Sequence, residues 1–379
     1  MWLINLTQEQ EFLICTLIGW VIIYGLSKLT NLKRFGLEVK PLILIYESSR
    51  FKEFIQKFQE KEDKYTRIFL NISILISIGL MAYAFYFLSN NIMRLIQVKP
   101  TASPVVLVLP GITIRLYWIP YLIAAAAITV FSHEFSHGLA ARIHGINIKS
   151  AGAFIAFLLP GGFVEPIEEE FKKTKLIHKL RVLSAGPSIN LVMGLIAMLM
   201  LFQCFAPPTG LVILDTVRES PLNDVGLKRW DVIYAINGTP VRDSYELYIF
   251  MRDVKPGETL VLKTSRGAVV IEAMNYSGRA VLGLTAVMSY YPLKLNAPPQ
   301  FSIHFYVLTL WCFMLFMGAA IFSMLPIYPF DGERFISYVL EAYLKKGVKP
   351  ARIAINVVSL GLLGLNVAFT FIRFGIFSF

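Results

Sequence analysis

The 379-residue chain is 56% hydrophobic and only 16% charged, with a mean hydropathy of +0.60 and a formal net charge of +11. Soluble domains run at roughly 45–50% apolar and about 25% charged, so these values exclude an ordinary water-soluble fold and place the chain among membrane proteins. The basic residues sit in loops beside apolar runs and form no single patch, which excludes a nucleic-acid partner and fits the orientation of helices in a lipid bilayer.

A bilayer core of about 30 Å takes about 20 apolar residues as helix. Six stretches qualify, roughly 11–28, 67–93, 117–142, 181–204, 303–325 and 352–375. The first follows Glu9 and Glu11 and lacks a small-residue cleavage site, so it reads as a retained span. The loop 29–66 is rich in Lys, Arg and Glu, and an amphipathic helix is expected around Arg50–Phe58, lying on the inner leaflet. Lys and Arg are dense in 29–66, which includes Lys61, and in 143–180 and 332–351, and sparse in 94–116. With six spans the three basic loops share one side, the cytoplasmic one; both termini and the soluble stretch 206–290 then face outward. Cys15, Cys204 and Cys312 have no metal-type spacing and read as packing residues.

The third span carries His133-Glu134-Phe135-Ser136-His137. Four residues apart on a helix, the two imidazoles project from one face and can share a Zn²⁺ ion. Glu134 can accept a proton from a water on that metal, whose pKa zinc lowers to about 7. Apolar neighbours such as Val130 and Phe131 offer no polar partners, and unpaired His and Glu in a membrane helix are costly. If the helix starts near Trp118, His133 lies roughly 22 Å across the core, toward the cytoplasmic side.

Residues 151–164 are apolar but broken by Pro160, Gly161 and Gly162, which makes them a candidate re-entrant β-hairpin. Its edge strand could hold an extended substrate. Two histidines leave zinc short of protein ligands. Asp331, beyond Pro326 and Pro329 at the end of the fifth span, is the best third candidate; on spacing alone it is equally an interfacial turn residue.

These segments together resemble the site-2 protease family of intramembrane zinc metalloproteases: His133-Glu134-x-x-His137 in a span, Pro160-Gly161-Gly162-Phe163-Val164, Gly186-Pro187-Ser188-Ile189-Asn190, and Leu325-Pro326 to Asp331-Gly332. The resemblance implies zinc on His133, His137 and Asp331, Glu134 as catalytic base, and substrate contacts from Gly161, Gly162, Phe163 and Asn190. Two departures stand out. Ser323 occupies a position where the family often has Asn, and Phe330 replaces its Leu.

Within 206–290, short apolar strands alternate with turn signals, and Asn237-Gly238 marks a hairpin. This stretch resembles a PDZ domain, which implies strand addition of an extended peptide near the Gly210 loop.

The expectation is an α-helical polytopic membrane protein of about six transmembrane helices with a re-entrant hairpin and one small α+β PDZ-like extracytoplasmic domain. It divides into two N-terminal helices with a basic loop (1–116), a first core part (117–205), the PDZ-like domain (206–290), a second core part (291–345) and a C-terminal helix (346–379). The expected activity is cleavage of membrane-spanning protein substrates, in regulated intramembrane proteolysis. A membrane metal-ion transporter and a catalytically inactive PDZ scaffold are the competing readings.

Overall fold

The computed structural model describes residues 7–57 and 63–375; Phe58 and Lys61 lie outside the described residues. Two compact units emerge, one built from the chain up to Leu195 and from Trp311 onward, the other from Ile196–Leu310. Among the described residues, six helices are long and apolar enough to cross a membrane.

Helix α1 (Gln8–Leu29) opens on a reciprocal cap: Thr7 Oγ1 accepts from Gln10 N–H, and the Gln10 side chain accepts from Thr7 N–H. The loop beyond contains strands β1 (Leu37–Lys40) and β2 (Ile43–Glu47) and helix α2 (Ser49–Gln56). Next come the spans α3 (Lys64–Ile96) and α4 (Ile119–Ile143). Pro120 falls in the first turn of α4, where its missing N–H has no helical partner to lose. Strands β3 (Ile148–Ala156) and β4 (Leu159–Pro166) form a hairpin, followed by α5 (Glu168–Lys173) and the span α6 (Leu176–Gln203). Two bonds from Asn147, one from its backbone N–H (2.7 Å) and one from its side-chain amide (3.2 Å), hold the Glu170 carboxyl of α5 below the usual carboxylate range.

The first loop therefore carries regular structure up to Gln56. Its two strands extend the hairpin into an antiparallel sheet of order β1-β2-β3-β4, so β2 covers one edge of β3 and, among the described residues, β4 keeps an open edge. The amphipathic helix expected around Arg50–Phe58 forms as α2, and part of its apolar face packs on protein. Phe51 lies 5.7 Å from Phe131, Phe54 lies 6.0 Å from Phe135, and Ile55 is fully buried. Amphipathicity shows that a face needs covering, not what covers it.

The unit Ile196–Leu310 holds β5 (Gly210–Thr216), α7 (Pro221–Asp224), β6 (Val232–Ile236), β7 (Thr239–Pro240), α8 (Ser244–Arg252), β8 (Thr259–Thr264), β9 (Gly267–Glu272), β10 (Met274–Tyr276), β11 (Arg279–Val281) and β12 (Leu284–Tyr290). Its main sheet runs β12-β5-β6-β8-β9, with β7 paired to β6. Leu211, Ile213, Ile233, Ile236, Leu260 and Leu262 form the buried centre of this unit. Asn237 and Gly238 turn the chain at φ +47° and +78° between β6 and β7, as the sequence predicts. In the strand order β5, which starts at Gly210, lies between β12 and β6, and among the described residues β12 and β9 are the outer strands of this sheet.

The chain ends with the span α9 (Pro299–Ser323), helix α10 (Asp331–Tyr343) and the span α11 (Val348–Phe374). Pro326 and Pro329 fall between α9 and α10, where neither breaks a helix.

Candidate metal centre

His133 and His137 face the same way from α4, their ring centroids 4.7 Å apart. Asp331, the first residue of α10 and 198 positions beyond His133, arrives between them. Its Oδ2 lies 3.0 Å from His133 Nε2 and 3.4 Å from His137 Nε2, and the two Nε2 atoms are 3.1 Å apart. A tetrahedral ion with bonds of roughly 2.0–2.1 Å sets its ligands about 3.3 Å from one another. The three atoms thus match the face of a zinc polyhedron.

A second observation tests the fit. Gly186 of α6 faces the triangle, and a Cβ built on it would lie 2.5 Å from His137 Nε2 and 2.8 Å from His133 Nε2 and Cε1. Glycine keeps this space clear, leaving a cradle beside two ring nitrogens that a methyl group would fill. The donor set of two imidazoles and one carboxylate suits zinc.

The rings are braced from behind. His137 Nδ1 lies 2.7 Å from the Val182 carbonyl of α6. Donating there, the ring turns the lone pair of Nε2 toward the triangle. Asn190 is fully buried, with its side-chain amide 3.0 Å from His133 Nδ1 and 3.4 Å from Ser132 Oγ. A half-turn of the amide presents Oδ1 to Nδ1; His133 then also offers the Nε2 lone pair. Asp331 is seated by its neighbour: a Cβ on Gly332 would meet the Met324 carbonyl oxygen at 2.2 Å, so only glycine lets α10 start this close to the end of α9. Ser323 Oγ donates to Ala320 O at 3.4 Å, back along its own helix.

Glu134 points toward the sheet, where its Oε2 accepts from the Val164 N–H of β4 at 3.1 Å. The paired glycines explain the close approach. A Cβ on Gly162 would lie 2.9 Å from Val130 Cγ1 and 3.3 Å from Glu134 Cγ, whereas one on Gly161 would strike the Phe154 ring at 2.1 Å. Each glycine clears one face of β4. Phe163 mirrors this arrangement, its ring carbon falling 2.8 Å from a Cβ on its partner Gly152. Because Val164 turns its N–H away from β3, the pleat carries the N–H and C=O of Gly162 to the same open edge, where Pro160 has no donor.

The sequence motifs point to every member of the triangle. They do not show Val182, the Val164 N–H or the space kept by Gly186, because backbone donors and empty volume leave no signature in residue type.

The profile of Peptidase family M50 matches residues 121–365. An uncharacterised protein of Methanocaldococcus jannaschii is 29% identical over 337 residues, covering 86% of this chain and 85% of its own length. An Arabidopsis thaliana protein named a membrane-bound transcription factor site-2 protease homolog is 29% identical over 144 residues, 36% of this chain and 28% of its own. A Clostridium perfringens protein whose name describes a zinc metalloprotease is 23% identical over 312 residues, 66% of this chain and 91% of its own.

Proposed function

The chain belongs to Peptidase family M50 and is a multi-pass zinc metalloprotease, and on that premise we propose that it hydrolyses a peptide bond within the transmembrane segment of a membrane-anchored protein. The triangle of His133 Nε2, His137 Nε2 and Asp331 Oδ2 carries this reading. Zinc, when held by these three residues, would supply electrophilic assistance and lower the pKa of a bound water to about 7. Glu134 is the proposed general base. Its Oε2 is held by Val164 N–H, which leaves Oε1 to take the proton.

A helical substrate hides its own peptide bonds, so the chain must first hold it extended. The open edge of β4 offers Gly162 N–H, Gly162 C=O and Pro160 C=O beside the helix that carries Glu134. Gly161, Gly162 and Phe163 are the proposed substrate contacts, and Asn190 supports the site from behind His133. That β4 hairpin is proposed to be re-entrant. Trp20 Nε1, near the middle of α1, donates to the Phe157 carbonyl at the hairpin turn (2.9 Å), which favours a turn at membrane depth. The module 206–290 is proposed as a PDZ-like selector of extended peptide on the extracytoplasmic side, with the loops 29–66, 143–180 and 332–351 in the cytoplasm.

The test is reconstitution of the full chain in vesicles with a membrane-spanning reporter. The zinc-loaded protein is expected to cleave it, chelation to stop cleavage, and added zinc to restore it. Cleavage by metal-free protein, or metal-dependent ion uptake with the reporter intact, would overturn the assignment.

A further inference from the structure

The third ligand comes from a segment that the membrane helices around it must hold in place. Residues 324–330 are irregular, and Asp331 sits at the very start of α10. Two residues later Glu333 is 4% exposed. A carboxylate buried to that extent demands compensation. Arg352, in the first turns of α11, supplies it: Nε and Nη2 both donate to Glu333 Oε1, at 3.0 and 2.7 Å. Ser337 Oγ donates to the same oxygen at 2.8 Å. One turn along α11 from Arg352, Asn356 Oδ1 accepts from Tyr328 N–H at 2.8 Å. The segment bearing Asp331 is therefore tied to α11 on both sides of the ligand, at Tyr328 and at Glu333.

The helix that holds these ties is itself fixed. Farther along α11, Asn366 Nδ2 donates to Leu88 O (3.0 Å) and its Oδ1 accepts from Asn91 Nδ2 (2.9 Å), while Thr370 Oγ1 accepts from Val105 N–H (3.0 Å). Asn366 is fully buried. Hydrogen bonds of this kind stop one apolar helix from sliding or rotating on another. From α3 to Asp331 the connection is continuous.

We infer that Arg352 and Asn356 are positioning residues of the metal centre: α11 is the post that sets where the Asp331 carboxylate lies relative to the two imidazoles. The inference rests on the ligand assignment proposed above. Neither residue touches the triangle. Both act through the backbone of 328–333, as outer partners orient a ligand in other metal sites. Arginine suits this post because its planar fork delivers two donors to one carboxylate in fixed geometry.

The experiment measures zinc affinity of the full detergent-solubilised chain by competition with a chromophoric chelator, beside thermal unfolding of the metal-free protein. Arg352→Gln alone would leave Glu333 buried and unpaired, so its effect on folding would confuse the result. The informative variant is Glu333→Gln with Arg352→Gln, which removes both charges. It is expected to unfold near the parent temperature when metal-free and yet to bind zinc about 10–100-fold more weakly. Asn356→Ala should weaken zinc binding in the same direction, and Arg352→Lys, which keeps the charge but loses the fork, should fall between parent and double variant. Parental zinc affinity in the double variant would overturn the inference. Asp331→Asn in the same assay keeps the two ideas apart: if it too bound zinc like the parent, the ligand assignment itself would fall.

Discussion

Replacing Gly186 with alanine is expected to strip the protein of zinc without unfolding it. In a helix interior alanine is favoured over glycine by about 1 kcal/mol, so by propensity alone this substitution should stabilise α6. The added methyl carbon, however, would stand 2.5 Å from His137 Nε2 and 2.8 Å from His133 Nε2, well inside the contact distance of about 3.5 Å. Both rings are braced on their far side, by Val182 O and Asn190, so they cannot simply retreat. Purified Gly186→Ala should retain its helical circular dichroism while its zinc content drops from about one ion per chain to below about 0.1, as expected when a ligand's lone pair is blocked. Cleavage should disappear with the metal. A variant holding a full complement of zinc would mean that the triangle is not the metal centre.

Glu134→Gln separates metal binding from proton transfer. The amide oxygen of glutamine can still accept the Val164 N–H that Glu134 Oε2 accepts now at 3.1 Å, so the local fold should persist. What is lost is a group able to take a proton. General-base catalysis contributes roughly 10²–10⁴-fold, and a loss of about 10³-fold or more in cleavage rate is expected, with zinc content and substrate binding unchanged. Comparable cleavage by both proteins would remove Glu134 from the mechanism and with it the proposed chemistry.

The spans and the motif helix were legible because each rests on a single repeating physical demand: about 20 apolar residues to cross hydrocarbon, and a four-residue spacing to bring two rings to one face. Asp331 was a candidate from its place beyond Pro326 and Pro329, but spacing alone left it equally an interfacial turn residue and the resemblance to a family tipped the balance; its proximity to His133 depends on how α10 docks, and no local pattern encodes that. The strands β1 and β2 were hidden for a different reason. They are four and five residues long, and the turn between them places Leu42 at φ +59°, where glycine or asparagine would have signalled a hairpin. Their real determinant is β3, more than a hundred residues away in sequence. The face of α2 was visible but its cover was not. The tie from Glu333 to Arg352 was equally hidden, since charged residues near the end of an apolar run read as interfacial until a buried partner is seen.

Zinc K-edge X-ray absorption of the full-length protein loaded with one equivalent of zinc tests the central claim most directly. Two imidazole nitrogens at roughly 2.0–2.1 Å and carboxylate or water oxygens at about 2.0–2.2 Å are predicted, with half the imidazole signal lost in His137→Ala. Sulfur at about 2.3 Å, or a spectrum indifferent to that substitution, would contradict it.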